Sequence, residues 1–139
     1  MFRKNKALFI SATIFISGDN PDNFEVNVDA ANRIFDWAAN GFLIVSIIYS
    51  GDYKDTDTRR KIKEKIDLAF KKYCNFKLDN LKIMCVSDLK DPDPFWDLMR
   101  KSAVNASRSL LVAETERGEE LARIIDVRFE YARDFLRHM

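Results

Sequence analysis

Four short apolar runs in this 139-residue chain each end in residues that can hydrogen-bond, carry charge or ligate a cation. Ala7–Ile10 leads into Ser11 and Thr13, and Phe42–Tyr49 into Ser50 and Gly51. Leu81–Val86 leads into Asp88 and Lys90, and Leu110–Ala113 into Glu114. Hydroxyls and a glycine backbone beside a lysine suit a phosphate or nucleotide anion. The carboxylates of Asp52, Asp88 and Glu114 offer a different chemistry, three hard oxygen donors for a divalent cation. Acids at strand ends are common surface residues, so no metal is expected. The single histidine, His138, stands next to the last residue, which argues against imidazole catalysis and histidine-rich metal sites.

These residues can act together only if the chain brings them together. Each apolar run is followed by a helical pattern, and strands alternating with helices give a mostly parallel sheet. The first strand is expected over Ala7–Ile16, with a break near Ser11, before a turn-rich Gly18–Asp22 loop. A helix with Ala31, Ile34, Phe35 and Ala38 on one face closes at Asn40-Gly41. Asp55-Thr56-Asp57 starts a second helix, with Ile62, Ile66, Ala69, Phe70 and Tyr73 as its buried stripe. Asp93 caps a third, with Pro94 at its first position and Phe95, Leu98, Met99 and Ser102 inward. Strand Ser109–Ala113 leads to a fourth helix capped by Thr115, whose first turn carries Glu116, Glu119 and Glu120. Val127–Met139 reads as a short fifth strand and a terminal turn. The expected fold is a single α/β domain over residues 1–139, a three-layer sandwich with a central, mainly parallel sheet in Rossmann-like order. Such sheets bind ligands beyond the carboxyl ends of their strands, where Ser11, Thr13, Ser50, Gly51, Lys90 and Glu114 would converge.

Composition narrows the function. Charged residues make up 32% and hydrophobic ones 47%, and the formal net charge is +1, which argues against whole-surface attraction to nucleic acid or membrane. Cys74 and Cys85 read as two thiols in a reducing cytoplasm. The basic start followed by Ala7–Ile16 imitates a signal peptide, but Ser11 and Thr13 interrupt the apolar stretch and no cleavage pattern follows, so a buried strand is expected. Seven basic residues between Arg59 and Lys72 make the second helix strongly basic, yet Glu64 and Asp67 interrupt them, and a solvated outer face is the expectation. Trp37 and Trp96 lie beside apolar stripes and are expected to be partly buried.

The order of the pieces resembles the haloacid dehalogenase-like (HAD-like) phosphatases, especially the small capless kind represented by histidinol-phosphate and polynucleotide 3′-phosphatases. Ala7-Leu8-Phe9-Ile10-Ser11-Ala12-Thr13 is similar to the first strand, which normally ends in Asp-x-Asp-Gly-Thr. Asn40-Gly41-Phe42-Leu43-Ile44-Val45 resembles the approach to the second motif, and Ser50-Gly51 stands where that motif often ends. Lys90-Asp91-Pro92-Asp93-Pro94 resembles the region supplying the third motif's lysine. Leu111-Val112-Ala113-Glu114 resembles the fourth strand, which usually runs into Gly-Asp-x-x-x-Asp. The resemblance implies one domain without a cap.

The chemical positions depart from that pattern. In the family the first aspartate attacks phosphorus, the second cycles a proton, and an acid of the fourth motif helps to hold Mg²⁺. Here the first two positions are Ser11 and Thr13, whose hydroxyls cannot replace carboxylates. Glu114 stands in a matching place, but the preceding glycine is Ala113 and the second acid falls at Gly118. The motif II hydroxyl is replaced by Ile47 or supplied by Ser46. The expectation is a catalytically degenerate, non-enzymatic domain that binds a protein partner or forms a homo-oligomer, without a cofactor. The alternative is a divergent Mg²⁺-dependent phosphohydrolase acting on nucleotides or nucleic-acid ends through Asp52, Asp88 or Glu114. A receiver-like or flavodoxin-like domain is a third reading, with Asp88 as phospho-acceptor; the missing acids after strand 1 count against it.

Overall fold

In this computed structural model the elements run β1 (Ala7–Ser11), β2 (Ile16–Ser17), β3 (Glu25–Val26), α1 (Val28–Ala39), β4 (Ile44–Ser50) and α2 (Thr56–Cys74). They continue as β5 (Leu81–Val86), α3 (Asp93–Lys101), a 3₁₀ turn (Ala106–Arg108), β6 (Leu110–Ala113), α4 (Glu116–Ile125), β7 (Arg128–Tyr131) and α5 (Ala132–Arg137). The structure describes residues 5–11, 14, 16–17, 25–39, 41, 44–50, 56–74, 81–86 and 91–137.

A five-stranded sheet in the order β5-β4-β1-β6-β7 is parallel throughout, and β2 and β3 form a separate antiparallel pair. Ala7, Leu8, Phe9 and Ile10 of β1 are all fully buried, as a central parallel strand with both faces covered must be. Right-handed crossovers explain the layers. The chain moves outward from β1 through α1 and α2 to β5, then returns across β1 through α3 to β6 and on through α4 to β7. Ala7, Phe9, Leu111 and Ala113 pack with Phe95 and Met99 of α3 and Leu121 and Ile125 of α4. Phe9 and Phe95 meet edge to face, their ring centroids 5.5 Å apart. Leu8, Ile10, Leu110 and Val112 alternate to the other face, where Ala30 and Ile34 of α1, Ile66 of α2 and Phe135 of α5 are buried.

Polar residues close the end of the sheet where the strands begin. The buried Ser109 hydroxyl accepts from the Ala7 N–H at 3.0 Å and donates to the Asn105 carbonyl at 2.8 Å. The Asn5 side chain donates to the Ser102 carbonyl at 2.7 Å, and the Asn5 and Asn105 backbones pair at 2.8 Å. The loop after α3 is thereby tied to the segment before β1.

Several boundaries differ from expectation. β1 ends at Ser11, the expected break, rather than continuing to Ile16. Ile16 belongs instead to the small antiparallel pair. The Gly18–Asp22 loop lies outside the described residues. The α3 cap falls earlier than Asp93: Asp93 is the first helical residue and its N–H is bound by the Asp91 carboxylate at 3.1 Å. Thr115 holds the N-cap position of α4 in extended conformation, without a side-chain cap bond. The C-terminal segment holds the expected strand, followed by a helix rather than a turn. Phe135 anchors that helix: it is fully buried, stacks on Trp37 at 5.8 Å, and its carbonyl accepts from Arg33 Nε at 2.7 Å. Trp37 is partly buried as expected, whereas Trp96 is 46% exposed.

Ser109→Ala should strand the buried Ala7 N–H and destabilise the fold by about 1–3 kcal/mol in urea denaturation. A change within about 0.5 kcal/mol, the size of an ordinary surface substitution, would contradict that role.

Candidate functional site

The strand order reverses at β1, with β4 and β5 on one side and β6 and β7 on the other. A parallel sheet opens its ligand crevice at such a point, beyond the carboxyl ends of the strands. Ser11 ends β1 and pairs with Ile48, two residues before Ser50 ends β4. On the other side Ile10 pairs with Val112, which sets Ala113 level with Ser11 and the exposed Glu114 one residue further out. Ser11, Ser50 and Glu114 therefore share one rim, with Ser11 at its centre. Thr13, Gly51, Asp52, Asp88, Lys90 and His138 lie outside the described residues.

Ser11 is half-buried at the strand tip. A serine hydroxyl attacks phosphorus only when a neighbouring base takes its proton. The resemblance implies a carboxylate at this place, which would need no such base. Backbone register thus puts a hydroxyl, not a carboxylate, in the most central position.

The fourth-motif positions show a steric reason for their departures. Gly118 is buried in the first turns of α4, and a Cβ built there would lie 2.5 Å from the Ala113 Cβ and 3.2 Å from the Phe129 ring. Real Cβ atoms do not approach so closely. The alanine at 113 and the missing side chain at 118 are therefore one coupled feature: the Ala113 methyl fills the space a side chain at 118 would need. The close approach seats α4 against the tips of β6 and β7.

Beside this contact is a polar group that the sequence reading missed. The Tyr131 hydroxyl, at the tip of β7, donates to Glu119 Oε2 at 2.9 Å, and Arg123 Nη2 donates to Glu119 Oε1 at 3.2 Å. The hydrogen bond to Glu119, then burial, then the Glu119 charge hold the Tyr131 phenol above its ordinary range. The sequence signal was a tyrosine ending an alternating apolar and charged segment twelve residues after a helical glutamate, which has meaning only once β7 is placed beside β6.

Asp52 and Asp88, two of the three carboxylates that could hold a divalent cation, lie outside the described residues. Mg²⁺ needs several hard oxygen ligands with carboxylate charge. Of the motif positions described, Ser11 brings a hydroxyl, Gly118 has neither a side chain nor room for one, and Glu114 is the one carboxylate. Among the described residues no group of three or more His, Cys, Asp or Glu side chains could hold a metal ion, and no helix is long and apolar enough to cross a membrane.

Two measurements check this geometry. Gly118→Ala should gain about 1 kcal/mol of helix propensity but lose about 1–3 kcal/mol to overpacking, so the net change should be destabilising. Ala113→Gly in the same chain should recover part of that loss, and equal stabilities of the single and double variants would contradict the coupling. Because the folded pKa of Tyr131 is raised, the stability from its bond is full below the unfolded value near about 10 and is lost as pH rises through the folded value. NMR titration of the Tyr131 ring should place its pKa above that value and show Glu119→Gln lowering it. An unchanged titration in E119Q would exclude the bond as its cause.

No protein-family model matches the sequence, and no curated protein matches it. Solved structures do resemble its fold. A candidate HAD-like phosphatase from Mesorhizobium loti superposes with a TM-score of 0.69 at 13% identity, covering 88% of this chain and 69% of that one. The D,D-heptose 1,7-bisphosphate phosphatase of B. bronchiseptica, solved with magnesium and phosphate, gives a TM-score of 0.68 at 14% identity, covering 96% of this chain and 87% of that one. With strand order, crossovers and these two likenesses in agreement, the chain has a HAD-like α/β fold.

Proposed function

We propose that the chain is a catalytically degenerate HAD-phosphatase-like domain that acts by binding, to a protein partner or to a second copy of itself. The observation that carries this reading is Ser11 at the tip of the central strand. Phosphoryl transfer through an aspartyl-phosphate needs a carboxylate that attacks phosphorus, and a serine hydroxyl there lacks that charge. The steric closure at Gly118 supports the same reading, because it removes the second acid of a metal cradle. A crevice without this chemistry can still hold a phosphate or nucleotide anion against hydroxyls and backbone N–H groups, with Lys90 to balance its charge.

The test is turnover of a panel of phosphomonoesters, nucleotides and 3′-phosphorylated oligonucleotides with Mg²⁺ or Mn²⁺, comparing the wild type with E114A. The expected outcome is no metal-dependent turnover above the E114A background. Turnover that depends on metal and disappears in E114A would overturn the proposal in favour of a divergent phosphohydrolase with a rearranged carboxylate site.

A further inference from the structure

Two exposed apolar side chains stand in surroundings of opposite charge, on opposite faces of the sheet. Leu68 is 67% exposed on α2, and helical spacing sets it opposite the fully buried Ile66. Lys61, Lys65, Lys71 and Lys72 lie three, four or seven residues from it, on the same face, and all are exposed. Glu64 is the acid among them, and α2 as a whole carries seven basic against three acidic residues.

Trp96, on α3 across the sheet, is 46% exposed. It lines an open depression of about 730 Å³ with Asp91, Asp93, Pro94, Asp97 and Arg100. Asp97 is occupied within its own helix, by Arg100 at 2.6 Å and Lys101 at 2.9 Å. Among the described residues, Asp91 and Asp93 therefore set the sign of the depression, which is acidic around an exposed indole.

We infer that these surfaces are the two halves of one heterologous contact, in which α2 of one copy of this chain sets Leu68 and its lysines into the acidic Trp96 depression of a second copy. Charge complementarity is the reason to choose a second copy: a basic collar around an aliphatic knob faces an acidic collar around an aromatic floor. α2 and α3 pack on opposite faces of the sheet, so one molecule cannot join its own halves. A nucleic acid is the poorer occupant of α2, since Leu68 at the centre of the basic face gives a base no ring to stack on. Burial of the indole would supply most of the affinity and the charges would set register and association rate. Because each copy offers one half and receives the other, assembly runs on to rings or filaments rather than stopping at a symmetric dimer. This extends the binding role proposed above by naming its partner, and its readout is assembly rather than turnover, so the two can fail separately.

Sedimentation velocity over a concentration series, at low and at high salt, tests the contact. At low salt the wild type should exceed the monomer mass as concentration rises, and added salt should reverse this. Leu68→Glu and Lys71→Glu should each break the inserting side, and Asp93→Lys and Trp96→Ala the receiving side, each weakening association by at least about tenfold. The decisive sample is a mixture of L68E with D93K. Each retains the half the other has lost, so the mixture should form a one-to-one complex and nothing longer. A wild type that stays monomeric, variants that assemble like the wild type, or a mixture that forms no complex would overturn the inference. Binding of single-stranded RNA through α2 by a monomeric wild type would overturn it in favour of a nucleic-acid face.

Discussion

The whole molecule is organised by the burial of β1 on every side. Its backbone pairs with β4 and β6, and its side chains from Ala7 to Ile10 are covered by α3 and α4 on one face and by α1, α2 and α5 on the other. A strand so enclosed meets solvent only at its ends. One end is closed by the Asn5, Asn105 and Ser109 hydrogen bonds, which leaves the tip at Ser11 as the place where the core meets the outside. A ligand that reaches the central strand therefore meets it at Ser11.

The outer strands are held by more local devices. α4 reaches β7 through Asp126 and Val127 alone because Asp126 adopts the left-handed conformation (φ 63°), and its N–H and that of Val127 bond back to the Arg123 and Ala122 carbonyls. The Glu119–Tyr131 bond ties the start of the same helix to the end of the strand that follows it. α5 is too short to be stable alone. It is kept by Phe135, sandwiched between Trp37 and the core, with the Arg33 guanidinium 5.1 Å from its ring.

How much of this was legible depended on the range of the interaction that decides each element. Leu81–Val86 was readable to the residue, because a continuous apolar run bounded by polar residues carries its own limits. The parallel sheet followed from the alternation of such runs with helical stripes, and its strand order from the resemblance to the HAD-like fold. The end of β1 was marked by Ser11, which interrupts the apolar run, whereas the pairing of Ile16 with Val26 was not legible, because it is set by a partner in a later segment. The terminal helix was missed for a similar reason: its stability lies in Arg33 and Trp37, about a hundred residues earlier. At the site, the departures at Ser11, Ala113 and Gly118 were visible as letters. Only the Ala113–Gly118 approach, a distance between two elements, reveals that the last two are a single fact.

That approach also constrains the order in which the chain could change. An acid introduced at 118 while Ala113 remains meets a methyl group at an impossible distance, so the catalytic letter cannot be the first to arrive. Ala113→Gly must precede it, and that step alone removes a buried methyl from the core without restoring any chemistry. Positions 113 and 118 can therefore change side-chain size only in that order or together.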